Sequence, residues 1–285
     1  MDKKKQALEQ IGKTIVMHRQ FDAAHRGILD LVSLATSSGV PFGATVLGPS
    51  GVGKSTLVAA ILSKLQSTDL LGERMEALHL SVQSTPSVGQ VIGGMLTQLS
   101  FPPVVRPARM YEQSEDLIRA IKERRIKLIF LNESQHLTMG QRGRSTTNIT
   151  DYLKLVIEET NVVTVVLGLP TFGHLKDINE QLHSRAPARF PLDAFKFDKD
   201  WVALLKGLSA GCSAICLDVI HESLSKPLYR ATEGLMRPLK QLLTTAVSHA
   251  LDHGKIAVDQ ESLHSAYQLL FNGTGTEVNP FRPAS

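Results

Sequence analysis

Gly48-Pro49-Ser50-Gly51-Val52-Gly53-Lys54-Ser55 is the stretch on which the fold of this chain turns. It sets a glycine, four free positions and Gly-Lys-Ser between an apolar run, residues 44–47, and a segment with Leu57, Val58, Ile61, Leu62 and Leu65 on one helical stripe. A strand that turns through this glycine pattern into a helix fits a phosphate-binding loop, the alternative being a chance Gly/Ser-rich turn. The glycines let consecutive backbone N–H groups face a polyphosphate, and the helix aims its positive end at the same place. In that arrangement Lys54 reaches the β- and γ-phosphates and the Ser55 hydroxyl ligates Mg²⁺. Gly48, Pro49, Ser50, Gly51, Val52, Gly53 and Thr56 complete the cradle, so ATP and Mg²⁺ are the expected cofactors.

Phosphate loops serve kinases, GTPases and ATPases alike, so a second motif has to discriminate. Lys127-Leu128-Ile129-Phe130-Leu131-Asn132-Glu133 is an apolar strand ending in an acidic residue, the arrangement that places a general base beside the γ-phosphate. Glu133 is read as that base, the alternative being that Asn132-Glu133 merely ends a buried strand. The position before it, ordinarily an aspartate that helps hold Mg²⁺, is Asn132, which offers an amide oxygen but no charge. Slow hydrolysis and a long-lived ATP-bound state are expected.

The surrounding pattern is α/β. Residues 128–131 and 162–167 are continuous apolar runs, as in a parallel sheet covered on both faces by helices, and 77–82 reads as a further strand. Helical patterns fall at 87–99 and 112–125, the latter with Leu117, Ile118 and Ile121 inward. From residue 198 the signature is helices only: 201–208, 213–224, 235–251 and 260–271. The expected organisation is a helical leader at 1–40, an α/β ATPase domain at 41–196, a small helical lid at 197–271 and a flexible tail at 272–285.

Composition narrows the class. The chain has 285 residues and a formal net charge of +4, enough for a sizeable core and only a weak pull toward polyanions. Cys212 and Cys216 have no neighbouring Cys/His pair at metal-ligand spacing and read as buried small apolar residues. No apolar run approaches membrane-spanning length, and the first residues, Met1-Asp2-Lys3-Lys4-Lys5, lead into no signal-like apolar stretch. A cytoplasmic protein without a membrane partner is expected.

Later arginines extend the site. His183-Ser184-Arg185-Ala186-Pro187-Ala188-Arg189-Phe190 is read as lying just before the last strand, at an edge that could face a neighbouring subunit's nucleotide. Arg189 is the first choice for an arginine acting in trans and Arg185 the second. Arg237, in Gly234-Leu235-Met236-Arg237-Pro238-Leu239, stands in the first turn of a long helix, from which it could report nucleotide state.

With these motifs the sequence resembles the AAA+ ATPases and, within them, the TniB/TnsC family of transposition regulators. The resemblance runs from about Phe21 to Leu251 and includes Asn132-Glu133-Ser134-Gln135-His136-Leu137, Gly168-Leu169-Pro170 and Glu233-Gly234-Leu235-Met236-Arg237. It implies a homo-oligomer, ring or filament, that assembles on double-stranded DNA with ATP and connects a target-selecting protein, such as a TniQ-like factor, to a transposase. It also implies a nucleotide held by Lys54 and Ser55 of one subunit and completed by Arg189 or Arg185 of the next. The family's polar sensor near the end of the fourth strand has only Thr164 and Thr171 as candidates. DNA contacts fall to basic loops: Arg142 and Arg144 in residues 139–146, Arg106 and Arg109, and Arg125 at a helix end. Any one of these reads equally well as a solvated turn. Two other readings stay open, an ATP-switched adaptor or clamp-loader-like module acting on protein partners without touching DNA, and a small-molecule phosphoryl transferase. Replication initiators and helicase loaders share the same motifs.

Overall fold

The structure, a computed structural model, describes residues 3–67, 76–84, 87–99, 110–134, 136, 144–171, 186–271 and 278–282. They form two compact units: Gln20–Ser50 with Lys54–Leu192, and Met1–Arg19 with Gly51–Gly53 and Asp193–Ser285.

In the first unit, helix α2 (Arg19–Ser38) buries Phe21, Ala24, Ile28, Val32 and Ala35, the three-and-four spacing of one helical face. Strand β1 (Gly43–Leu47) leads into helix α3 (Lys54–Ser67). Next come β2 (Glu76–Ser81), α4 (Val88–Gln98), α5 (Met110–Glu123), β3 (Ile126–Asn132), α6 (Arg144–Thr160), β4 (Val163–Gly168) and β5 (Ala188–Pro191). All five strands pair in parallel, in the order β2-β3-β4-β1-β5. Every residue of β4 is buried, as its unbroken apolar run requires. One continuous core joins α4, α5 and α6 to β2, β3 and β4 through Ile92, Met95, Leu117, Ile121, Ile129 and Leu153.

Local chemistry fixes several of these elements. Ser87 caps α4 in a reciprocal box with Gln90, satisfying donors the first turn leaves open. Edge strand β2 is sealed by a side chain: His79 N–H donates to Gln98 Oε1 (3.0 Å) and Gln98 Nε2 donates to the His79 carbonyl (2.7 Å). On the other edge, a Cβ at Gly27 would lie 2.4 Å from Cζ of Phe190, so α2 approaches β5 this closely only because residue 27 is glycine.

The second unit gathers α1 (Lys3–Lys13) with α7 (Lys199–Ala210), α8 (Ser225–Thr232), α9 (Met236–Asp252) and α10 (Gln260–Phe271). The stretch 1–40, read as one leader, therefore holds two helices belonging to different units. Ala7 and Ile11 of α1 join the core around Trp201, Leu205, Leu239 and Leu243. Lys240 Nζ donates to the carbonyls of Gly12 (2.9 Å) and Thr14 (2.8 Å), a cation placed on the negative end of α1.

Three sequence expectations are corrected here. Residues 213–224 are not a helix: Cys216 N–H donates to the Ile256 carbonyl (3.1 Å), Val258 N–H donates to the Cys216 carbonyl (3.0 Å), and only Asp218–Ile220 form a 3-10 turn. The helix comes later, as α8, with Pro227 in its first turn where a missing N–H costs nothing. Cys212 is buried as expected, but Cys216 is exposed. The tail is not free throughout: Phe281 is fully buried, and Gln260 Nε2 donates to the carbonyls of Phe281 (3.3 Å) and Arg282 (3.1 Å).

Candidate nucleotide site

In a parallel sheet ligands gather at the carboxyl ends of the strands, where the connections diverge. Here β1 and β3 flank β4, so the loop after β1 and the turn after β3 stand on the same edge, one strand apart. Gly48 N–H donates to the Gly168 carbonyl (3.2 Å), carrying the β1–β4 ladder one residue past the strand before the chain turns away. Gly53 (φ 110°) is left-handed, which a side chain would strain, and α3 opens immediately after it at Lys54. Lys54 Nζ donates to the carbonyls of Gly48 (2.7 Å) and Pro49 (2.8 Å), so the ammonium is held at the mouth of the loop. Ser55 is exposed and Thr56 half-buried in the first turn of α3, whose N–H groups have no partner within the helix. An ammonium, the first-turn N–H groups of a helix and a left-handed glycine fit a polyphosphate, and the accessible Ser55 hydroxyl with the half-buried Asn132 amide fits a hydrated Mg²⁺.

Gly51 (φ 85°) clusters with Arg237 in the second unit. Arg237 N–H donates to the Gly51 carbonyl (2.9 Å), satisfying a first-turn donor of α9 that its own helix cannot. A Cβ at Gly51 would come within 3.2 Å of Arg237 Cβ. The backbone turns into α9 through two left-handed residues, Glu233 (φ 51°) and Gly234 (φ 73°).

At the end of β3, Asn132 pairs in register with Ser81, and its carbonyl accepts from Val82 N–H (2.9 Å). Glu133 follows in the left-handed region (φ 57°), exposed at the carboxyl edge. For a residue with a Cβ that conformation costs about 1–2 kcal/mol. The other side chains divide. Thr164 is buried and pairs with Gly43 at the start of β1, so it stands at the amino edge and is removed as a sensor candidate; Thr171, exposed just past β4, is at the proper edge.

Arg189 does not precede the last strand. It is the second residue of β5, in register with Thr45, and is exposed on the face opposite Phe190. Arg125 is exposed just before β3, at the amino edge, with the length of the strand, about 25 Å, between it and Glu133. Arg144 is the first residue of α6 rather than part of a loop. Arg106, Arg109, Arg142 and Arg185 lie outside the described residues.

A family model described as "Bacterial TniB protein" matches residues 9–196. The chain belongs to the TniB family. No curated protein matches it in sequence. Among solved structures, the Aeropyrum pernix ORC2 protein (ADPNP-ADP complexes) aligns with a TM-score of 0.71 at 14% identity, over 86% of this chain and 67% of that one. The Aeropyrum pernix ORC1 protein in complex with DNA gives 0.71 at 16% identity, over 90% and 66%. The Thermotoga maritima RuvB Holliday junction branch migration motor gives 0.58 at 16% identity, over 92% and 73%. This TniB chain thus spans about two thirds of the length of the ORC proteins. The likeness shows the AAA+ fold: a parallel sheet flanked by helices, with a helical C-terminal unit. The family match ends at residue 196, beside the boundary at Leu192 between the two units. Among the described residues no helix is long and apolar enough to cross a membrane.

Proposed function

We propose that this TniB protein is an ATP-switched regulator of transposition. It assembles on double-stranded DNA as a homo-oligomer, ring or filament, and links a target-selecting protein, such as a TniQ-like factor, to a transposase. The observation that carries this reading is a phosphate loop and an Asn132-Glu133 strand end on one sheet edge in a chain of this family. That ORC1 was solved in complex with DNA and Drosophila ORC bound to DNA, and that RuvB is a branch migration motor, supports a nucleic-acid setting for the same fold.

Within this reading Lys54 neutralises the β- and γ-phosphates, and the backbone of residues 48–53 orients them. Ser55 and Asn132 would hold Mg²⁺, which would stabilise charge on the β- and γ-phosphates. Glu133 orients and deprotonates the attacking water, slowly because Asn132 brings no charge to the metal. Arg189, or Arg185, completes the site of a neighbouring subunit, and Arg237 reports the nucleotide state. Arg142, Arg144, Arg106, Arg109 and Arg125 are the candidates for DNA-backbone contact, whose affinity falls steeply with salt.

The test is sedimentation or negative-stain imaging of the protein with double-stranded DNA under ATP, a non-hydrolysable analogue, ADP and no nucleotide. ATP-dependent assemblies on DNA, lost in Lys54→Ala and weakened in Arg189→Ala, are expected. A protein that binds ATP but stays monomeric and off DNA would overturn the reading.

A further inference from the structure

We infer that Ser134 is the positioning residue that holds Glu133 in its working conformation, an inference that rests on the ATPase reading above. Ser134 is completely buried, although it is a polar residue directly after an exposed one. Both of its donors are used to pin the chain. Its N–H donates to the Leu167 carbonyl of β4 (3.0 Å), and its hydroxyl donates back to the Leu131 carbonyl of β3 (2.8 Å). The chain thus returns to β4 at Ser134 after leaving the β3 ladder, and the residue between is pushed out of the sheet at the carboxyl edge. That residue is Glu133, left-handed at φ 57°.

Glu133 differs in setting from the other left-handed residues with a side chain. Among the described residues three further non-glycine positions have positive φ: Arg125, Asn161 and Glu233. Each lies just past a helix and donates its N–H back to that helix, at Lys122, Ile157 and Tyr229 respectively, the usual way a helix stops. Glu133 follows a strand. Its backbone is instead trapped between Asn132, whose carbonyl is held by Val82, and Ser134, held by β3 and β4, while its own carbonyl accepts from His136 N–H (3.0 Å). A strained residue persists only where its surroundings over-determine it, and the Ser134 hydroxyl closes the three-residue loop that does so. Without that hydroxyl the turn can relax toward an ordinary strand continuation, which sends the carboxylate off its line to the water.

Ser134 touches no substrate, so it acts on turnover and not on binding. The test measures ATP hydrolysis with double-stranded DNA present, and nucleotide affinity with a fluorescent ATP analogue, for wild type, Ser134→Ala and Ser134→Cys, with circular dichroism as the fold control. Cysteine keeps the shape of the side chain, is somewhat larger and is a poor donor. Both variants are expected to lose about tenfold in kcat with analogue affinity unchanged within twofold, while Ser134→Thr, which keeps the hydroxyl, recovers activity relative to alanine. Wild-type kcat in both Ala and Cys variants would overturn the inference, and so would a parallel fall of kcat and affinity in the folded Cys variant. Wild-type protein that binds the analogue but shows no turnover would remove the ATPase reading itself, a result distinct from turnover insensitive to Ser134.

Discussion

Gly234→Ala isolates what the turn into α9 requires. Gly234 has φ 73°, and a Cβ built on it would lie 2.1 Å from the Phe195 carbonyl oxygen. Phe195 cannot simply withdraw, because its ring packs edge-on against His18 (centroids 4.7 Å) and at a tilt against Trp201 (6.1 Å). Its N–H also donates to the Gly234 carbonyl (3.0 Å). The left-handed conformation alone costs an alanine about 1–2 kcal/mol. Moving the carbonyl aside breaks the hydrogen bond, for about 1 kcal/mol more, and disturbs the aromatic packing for roughly another 1 kcal/mol. Gly254 is the control: its φ is 68°, yet nothing lies within 4 Å of the added Cβ. Gly254→Ala should therefore cost only the conformational share, about 1–2 kcal/mol, against about 3–4 kcal/mol for Gly234→Ala. Urea unfolding followed by the helical signal separates the two. Because α9 begins two residues later and Arg237 N–H meets Gly51, Gly234→Ala should also weaken binding of an ATP analogue while Gly254→Ala does not. Equal destabilisation by the two alanines would refute the argument from the Phe195 approach.

Further perturbations have definite signs. Lys54→Ala removes a charged donor held at the loop mouth and should weaken ATP-analogue binding by roughly tenfold to a hundredfold in a fluorescence titration, an unchanged affinity counting against the phosphate site. Burial pushes the Asp259 carboxyl up, but hydrogen bonds from Lys255 and Ser262 outweigh it and hold it at about 2. Its ionised form therefore stabilises the fold above about pH 4, and that share is lost as pH falls toward 2. The side chain is 47% exposed, so screening leaves about 1 kcal/mol or less, and Asp259→Asn should flatten the acid limb of stability measured by urea unfolding at successive pH values. Lys240→Met keeps the chain length but frees the carbonyls of Gly12 and Thr14, and should lower stability by about 2 kcal/mol in a urea titration. Asn132→Asp should reduce the Mg²⁺ concentration needed for half-maximal hydrolysis, and an unaltered requirement would separate Asn132 from the metal.

The sequence carried the parts of this molecule whose cause is local. The phosphate loop, the apolar runs of β3 and β4, the Ser87 start of α4 and the full extent of α10 all announce themselves within a few residues. What depends on distant partners did not show. Residues 213–224 carry apolar positions at spacings a helix would accept, but Cys216 is bonded to Ile256 and Val258, some forty residues away, and a 3-10 turn follows at Asp218–Ile220. The division of 1–40 between two cores follows from what α1 and α2 pack against, since both are amphipathic and neither pattern names its partner. Placing Arg189 required the register of β5, because a four-residue strand interrupted by a charge gives almost no periodicity. Ser134 had one faint signal, a small hydroxyl residue directly after a strand-ending glutamate.

On the proposed reading, Asn132 and Ser134 act on the same glutamate by separable means. Asparagine and aspartate are isosteric, and the backbone of residue 132 is fixed by Val82 and by its register with Ser81, so exchanging them changes charge while leaving the path of the chain alone. A unit charge close to a cation is worth about 1–4 kcal/mol between water-like and protein-surface screening, and that energy enters through the metal. Ser134 carries no charge and faces the interior, so its hydroxyl enters through the conformation of Glu133. Combining Asn132→Asp with Ser134→Ala should therefore give the metal dependence of the first and the reduced kcat of the second. Adjacent residues usually couple. If metal dependence shifted with Ser134→Ala alone, the turn after β3 would be positioning Asn132 as well as Glu133, and the two residues would form one mechanical unit.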